Sequence, residues 1–519
     1  MKLKNKKSDT GNLKIALITI ISGILLGITY YSFLFPLGWI CYVALFYILI
    51  SYRLKPFKSF LVGFLAATIH GLIIFSWMPV ITTKYTGSQI NSGYIFSLIG
   101  ALIFAIKTGI SFIILSHLIN KYNGTSIFSK IILLLGAAFA FVVTDWMYSI
   151  VFIDVPWMLH FFGYTQATDL YFSQIAEIGG VWLITFFLII INLIFAIALV
   201  EKSRKLFLAS IFLLIIIHIY GLIRLATLNE NGGKQLKIAL ICDNTEPEIR
   251  WNGQFVNEYV QTLFRLNKEA VSHNPDLIIW NEGAIPWSYK KDDDFLKEIL
   301  KQTEKTKAYQ LLSYFTVTGY DSSYSYNSAY LFNKNGQIEG RYDKSRLLGG
   351  LEKPLWNIKA LQLPFFNANT KSKNMEGTNI KPLEASVIGK VGVLICNESL
   401  TDNLTSKLAA SGAGFLTLMA NDNWFLKTQL PLHHFYHTRL RAIETRKDIV
   451  INSNLGYSGL VTSTGEIKGL SNKTHPEVLF LEVNTNNKKS QFETRKEIFL
   501  YISFLLLTII SLKKRRKKL

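Results

Sequence analysis

The sequence predicts two unlike parts: a multi-span α-helical membrane domain with about eight transmembrane helices, and a layered α/β domain. Three observations predict this. With 519 residues the chain has room for two or more domains. Half of its residues are hydrophobic and its mean hydropathy is +0.28, more apolar character than a soluble protein of this size needs. The long apolar runs are also confined to roughly the first 225 residues, whereas 234–497 have an ordinary polar content.

A helix must hold about 20 apolar residues to cross a bilayer. Such runs lie near 14–30, 34–51, 59–80, 92–119, 127–150, 174–200 and 206–224, with an eighth near 497–512. The first two share one stretch broken at Pro36. "MKLKNKK" ahead of the first run imitates a secretion signal, but no small-x-small cleavage site comes after it, so it reads as an uncleaved anchor. The expected domains are 1–233, with about seven spans; 234–496, globular; and 497–519, a last transmembrane helix with a basic tail.

The net charge of +20 collects at the borders of these runs. Residues 1–233 hold 16 Lys+Arg against 7 Asp+Glu, and 234–497 hold 33 against 28. "KKRRKK" (Lys513–Lys518) supplies the rest. Placed this way, the excess marks cytoplasmic loops and gives no support to nucleic-acid binding. With a cytoplasmic N-terminus, Arg53/Lys55/Lys58, Lys121/Lys130, Lys202/Arg204/Lys205 and Lys513–Lys518 fall on that same side, with Lys84 and Arg224 the main exceptions. The globular part then faces outward. Lys107 lies inside a span, where a charge is costly, and snorkelling or a displaced span is the expected explanation.

From 234 onward strands and helices alternate. Strands are expected at Leu236–Cys242, Asp276–Glu282, 309–318, 327–333, 386–395, 415–419, 448–453 and 457–462, and helices near 255–272 and 432–446. "NTKSKNMEGTN" (Asn369–Asn379) reads as a loop. "DDD" (Asp292–Asp294) before "FLKEIL" reads as charge at a helix N-terminus. "LLGGLE" lacks the arrangement of a phosphate loop. His433 and His437 have the i, i+4 spacing of metal ligands, but no HExxH or third ligand accompanies them, so packing or surface roles are expected.

The three cysteines form no CxxC pair. Cys41 and Cys242 sit in apolar runs and read as core. Cys396 ends the run "VGVLIC" and is followed by Glu398. "LIIWNEGAIPW" ends similarly at Glu282, and "GQIEGRYDKSRLLGGLE" is read as a third apolar run, delivering Lys344 and then Glu352. A carboxylate, a cation and a thiol are the parts that acyl transfer through a covalent intermediate needs.

This order resembles the Glu–Lys–Cys triad of the nitrilase superfamily. Lys344 follows Glu282 by 62 residues and Cys396 follows Lys344 by 52. Together with the spans, "PW" (Pro156–Trp157), "GYTQ" (Gly163–Gln166), "NDNWF" (Asn421–Phe425) and "HHFYHTRLRAIETRKDIVINSNLGYSGLV" resemble the apolipoprotein N-acyltransferase branch of that superfamily. The resemblance implies an αββα nitrilase-like sandwich for 234–496. Within it Cys396 would be the nucleophile, Glu282 the general base and Lys344 the oxyanion stabiliser. It also implies supporting roles for Glu352 and Glu398, and substrate contacts at Trp251, Trp356, Asn421, Trp424 and Phe425. No cofactor and no metal are implied. The sequence departs from the family at Asn281, usually proline, at Asn397, usually aromatic, and at "LGGLE", usually "PFGE".

The implied reaction moves a fatty acyl chain from a phosphatidylethanolamine-like phospholipid, through a Cys396 thioester, to the N-terminal amine of a diacylglyceryl-cysteine lipoprotein. The implied setting is a bacterial inner membrane, with the catalytic domain periplasmic, both termini cytoplasmic, and the protein a monomer. Two other readings stay open: a membrane-tethered amidase that hydrolyses a small amide, and a transporter or receptor with a non-catalytic outer domain. "PLWNIKALQLPFF" (Pro354–Phe366) and the exposed-looking aromatics of "NWFL" (Asn423–Leu426) are read as lids that dip into lipid, with local packing an equal alternative.

Overall fold

The computed structural model describes residues 3–512, apart from 87–89, 123–125, 229–232, 247–248, 250–252, 319–322, 359–372 and 473. The chain forms two compact units. One comprises Met1–Phe152, Met158–Thr227 and Thr494–Leu519; the other comprises Ile153–Trp157 and Leu228–Glu493.

In the first unit, seven helical segments among the described residues are long and apolar enough to cross a membrane: Gly11–Tyr31, Phe35–Tyr52, Pro56–Ile74, Ile90–Lys121, Ile127–Val151, Phe172–Glu201 and Arg204–Thr227. These are the seven runs expected before residue 225. Pro36 falls at the break between the first two. It opens a short helix, Phe35–Gly38, and a turn precedes the helix Val43–Tyr52. That turn is tied down by side chains. Asn192 accepts the Tyr42 N–H at 2.9 Å and donates to the Gly38 carbonyl at 3.0 Å. Trp39 donates its indole N–H to Gln166 at 2.9 Å, and Gln166 donates to the Phe35 carbonyl at 2.9 Å.

The expected helix near 497–512 is present within Phe492–Leu512. Glu493, Arg495, Lys496 and Glu497 charge its first turns, so its uncharged stretch, 498–512, spans only about 22 Å at 1.5 Å per residue.

Lys107 does not snorkel. Its ammonium is buried, 2.5 Å from the Asp145 carboxylate and 3.1 Å from the His160 carbonyl, over the Phe104 ring at 4.5 Å. The pair joins two membrane helices, because a charge withheld from lipid must find an opposite charge inside the protein.

The second unit is a four-layer α/β sandwich with thirteen strands among the described residues. In chain order they are β1 (Gln235–Cys242), β2 (Leu277–Trp280), β3 (Tyr309–Thr318), β4 (Tyr324–Phe332), β5 (Ile338–Asp343), β6 (Lys373–Asn374), β7 (Leu383–Ala385), β8 (Gly389–Ile395), β9 (Phe415–Asn421), β10 (Ile449–Asn454), β11 (Ser458–Val461), β12 (Ile467–Ser471) and β13 (Glu477–Asn484). One sheet runs β13-β1-β2-β3-β4-β5, with β6 added beside β4; the other runs β12-β11-β10-β9-β8-β7. The central neighbours β1–β2–β3 and β8–β9–β10 are parallel.

Period-two patterning sorts the layers. On β1, Leu236, Ile238, Leu240 and Cys242 join Val391, Val393 and Ile395 of β8 in the core shared by the two sheets. Ala239 and Ile241 face the other way, into a cluster with Leu263 and Leu266 of the helix Val256–Ser272 and Ile299 of the helix Asp294–Thr303. Leu394 and Leu418 turn outward from the second sheet onto Leu404 and Leu408 of the helix Asp402–Ala410 and Phe435 of the helix Leu430–Thr445. Asp293 caps its helix by accepting the Phe295 N–H at 2.9 Å, as the acidic cluster predicted.

Candidate active site

Parallel strands end side by side, so the residues just beyond their ends gather at one edge of the sheet. Glu282 lies two residues past β2. Its neighbour Asn281 donates to the carboxylate of Asp243, directly after β1, and Asp243 also takes the Tyr259 hydroxyl at 2.8 Å. The asparagine that departs from the family pattern thus ties the ends of two parallel strands together. Gly283, at φ +65°, turns the chain away.

Lys344 comes directly after β5. β5 is not the apolar run expected. It is an antiparallel edge strand whose Ile338, Glu339 and Arg341 are exposed and whose Tyr342 alone is buried. Lys344 nevertheless has a fully buried side chain. Its ammonium lies 2.8 Å from Glu352 and 3.7 Å from Glu282. Glu352 is placed by its own loop, since its second oxygen accepts the Leu348 N–H at 2.7 Å.

Cys396 is the first residue after β8 and opens a 3₁₀ turn, Cys396–Leu400, at φ +52°. Few side chains adopt that region, and it is common at functional sites. The thiol is buried, and the Glu282 carboxylate and the Lys344 ammonium both act on it electrostatically. Beneath it Glu398 is buried and accepts from Ile395 N–H at 2.8 Å, Ser345 N–H at 2.7 Å and Arg346 N–H at 3.0 Å, and from the Tyr342 hydroxyl at 2.9 Å. One carboxylate therefore locks the nucleophile turn to the lysine loop.

Charge and burial oppose each other here. Burial lifts the Glu282 carboxyl above the ordinary carboxylate range, against the pull of the Lys344 cation. Burial, and next the Glu282 carboxylate, push the Cys396 thiol well above its ordinary value, with Lys344 opposing. Burial also disfavours the Lys344 ammonium, but the Glu352 and Glu282 carboxylates outweigh it and hold that cation above the usual lysine value. Burial and the two carboxylates thus favour a neutral thiol, beside a fixed ammonium.

Asn327 was missed. From β4 it donates to Glu282 at 2.8 Å, and its carbonyl takes the Lys344 N–H at 2.8 Å, so one residue sets both groups. Its only sequence signal is a polar residue inside "YSYNSAYLF". The segment Ile153–Trp157 was also missed as part of this unit. The Asp154 carbonyl accepts the Gly349 N–H at 2.7 Å, and its carboxylate lies 3.1 Å from Lys353 and 3.6 Å from Arg346.

The other candidates are scattered. Asn421 accepts from Asn454 at 3.0 Å at the end of β9. Phe425 is buried against Trp157, with ring centroids 4.6 Å apart, and Asn423 is buried too, so "NWFL" is not an exposed lid. Trp424 lies in the same 3₁₀ turn, Asp422–Phe425, its side chain outside the described residues. Trp356 is exposed, at φ +50°. Trp251, Phe365 and Phe366 lie outside the described residues. Asn397 is buried and donates to the Arg346 carbonyl at 3.3 Å, a further tie between nucleophile turn and lysine loop. His433 and His437 are both buried, which removes the surface reading.

A buried cysteine, lysine and glutamate at the strand ends of an αββα sandwich, in a chain with membrane helices, define a membrane-bound acyl-transferring enzyme of the carbon-nitrogen hydrolase class. Residues 253–484 match the family Carbon-nitrogen hydrolase, and 22–194 match the Apolipoprotein N-acyltransferase N-terminal domain. Both parts of the chain thus resemble the apolipoprotein N-acyltransferase family. It is 28% identical over 513 residues to the apolipoprotein N-acyltransferase of Geobacter metallireducens, covering 93% of this chain and 92% of that one. The Chlorobaculum tepidum protein of the same name is 24% identical over 85% of each chain. Apolipoprotein N-acyltransferase 2 of Treponema denticola is 27% identical over 67% of this chain and 71% of its own. Among solved structures, Saccharomyces cerevisiae Nit3 aligns with 55% of this chain and 97% of its own at 16% identity and a TM-score of 0.37.

Proposed function

We propose that this enzyme moves a fatty acyl chain from a phosphatidylethanolamine-like phospholipid to the N-terminal amine of a diacylglyceryl-cysteine lipoprotein, through a thioester on Cys396. The observation that carries the reading is the Lys344 ammonium fixed between Glu352 and Glu282, with the buried Cys396 thiol in the field of both Lys344 and Glu282.

As the sulfur attacks the ester carbonyl, Glu282 takes the thiol proton. Lys344 and a backbone N–H near Cys396 stabilise the oxyanion. Collapse breaks the ester C–O bond, and the lysophospholipid leaves with the proton from Glu282. The lipoprotein amine then attacks the thioester and gives its proton to Glu282. Collapse breaks the C–S bond, and the sulfur recovers that proton. Burial favours this sequence, because a carboxylate lifted above its usual range is a stronger base for a thiol or an ammonium proton.

The same reading has domains at 1–233, 234–496 and 497–519 in an inner membrane, a periplasmic catalytic domain, cytoplasmic termini and a monomer. The basic borders of the spans support that orientation. In this reading Trp356 and Ile358, both exposed, meet lipid.

The test is mass spectrometry of the purified protein after incubation with phosphatidylethanolamine. A fatty-acyl mass on the Cys396 peptide, released by hydroxylamine and discharged by a diacylglyceryl peptide amine, is expected. Discharge to water at an equal rate would favour a hydrolase. Unchanged acylation in Cys396→Ala would reject the thioester.

A further inference from the structure

Behind the nucleophile lies a second polar chain that the acyl-transfer steps do not use. His434, on the helix Leu430–Thr445, places Nδ1 2.9 Å from Oδ1 of Asp422. Its Nε2 lies 3.2 Å from the backbone carbonyl of Cys396 and 3.0 Å from the Ser399 hydroxyl. The other Asp422 oxygen accepts the Ser453 hydroxyl at 2.8 Å, which anchors the carboxylate to β10. Trp157 meets the imidazole edge-on, with ring centroids 5.2 Å apart. His434, Asp422 and Ser399 are all buried.

Serine, histidine and aspartate in such a row suggest a second hydrolytic site, but Ser399 is fully buried and is packed on the Thr438 hydroxyl at 2.9 Å, so no substrate reaches it. The contact with Cys396 is the informative one. A carbonyl has no hydrogen to give, so Nε2 must carry one for that contact to bind.

We propose that His434, held by Asp422, is a positioning residue for the Cys396 nucleophile: its Nε2–H clamps the Cys396 carbonyl and keeps this residue in its left-handed backbone conformation. The clamp acts on the peptide, not on the sulfur. It fixes where the turn starts, and so where the thiol stands relative to Glu282 and Lys344. Glu398 holds the same turn from the Ile395 side, so the nucleophile is braced before and after its own Cα. The inference rests on Cys396 being the nucleophile.

The test uses the full-length enzyme in detergent micelles. Three quantities are measured: kcat and KM with phosphatidylethanolamine, the rate of Cys396 alkylation by iodoacetamide at one pH, and the melting temperature. His434→Ala is expected to lower kcat and the alkylation rate tenfold or more while KM stays within twofold. His434→Gln, whose amide N–H can still donate to the carbonyl, should recover most of both rates, and Asp422→Asn should fall between. Unchanged rates in His434→Ala would overturn the proposal. So would losses in His434→Gln and Asp422→Asn that merely follow the fall in melting temperature, and these two variants decide the matter if His434→Ala does not fold. Acylation that persists in Cys396→Ala would instead reject the nucleophile assignment itself.

Discussion

Glu352 holds the Lys344 ammonium at 2.8 Å, closer than Glu282 at 3.7 Å. The cation is thus anchored mainly by Glu352, while Glu282, the carboxylate that acts more strongly on the thiol, keeps a looser grip. This division lets Glu282 accept a proton without releasing Lys344.

Lys344→Met removes the oxyanion donor but keeps the length of the side chain. A 100- to 1,000-fold fall in kcat is expected, about 2.7–4 kcal/mol. Glu352→Gln leaves the buried cation with one distant partner and should cost at least tenfold. Single-turnover acylation of Cys396 reads both. Near-normal rates in Glu352→Gln would show that Glu282 alone suffices to hold the lysine.

Acid sensitivity is set by Glu282. It works as a base only when ionised, and burial raises its pKa, so kcat/KM should fall on acidification at a pH above the usual glutamate value of about 4.3. Lys344, raised rather than lowered, stays charged and should cause no alkaline loss below about pH 10.4. Alkylation of Cys396 should share the acid limb. A rate that climbs only around pH 8.5, as for a free thiol, would contradict the coupling.

Glu398→Gln turns one carboxylate oxygen into an amide NH₂, which must face either the Ser345 and Arg346 N–H groups or the Ile395 N–H. Donor would meet donor. A stability loss of about 1–3 kcal/mol is expected, with thioester formation lost alongside it. Denaturant titration together with acyl-mass detection reads the two effects.

Lys107→Met strands the Asp145 carboxylate inside the membrane unit. Removing one partner of a buried pair typically costs about 3–5 kcal/mol, whereas replacing both by apolar groups is often neutral. Lys107→Met should therefore melt earlier in detergent than the double variant Lys107→Met/Asp145→Leu. An equally unstable double variant would mean that the pair does more than satisfy its own charges.

Exposed Trp356 is expected to tolerate serine with no change in melting temperature and a raised KM for phospholipid. Unchanged acylation kinetics would remove this residue from lipid capture.

Much of the fold is legible in the sequence because burial leaves a periodic mark. β1, β2, β8 and β9 are apolar runs bounded by polar turns, and the membrane helices are longer runs of the same kind. β5 escaped because this edge strand exposes most of its side chains, Tyr342 being its one buried residue, and β7 because it is only three residues long. Lys344 was found through family spacing, and the apolar run assigned to it does not exist. Asn327 left no local trace, since its role depends on β4 lying beside the strands that carry the other groups. Lys107 was flagged but misread, because its partner Asp145 lies 38 residues away on another helix. Phe425 looked exposed only while Trp157, far off in sequence, was out of view.

The pairing of β1 with β13 has a practical side. Eight residues match in register, from Gln235 opposite Asn484 to Cys242 opposite Glu477. The sandwich therefore begins and ends on neighbouring strands. Cut free at those points, it could be joined head to tail by a short linker and reopened at an exposed turn such as Asn333–Gly336, giving a circular permutant with the same layers.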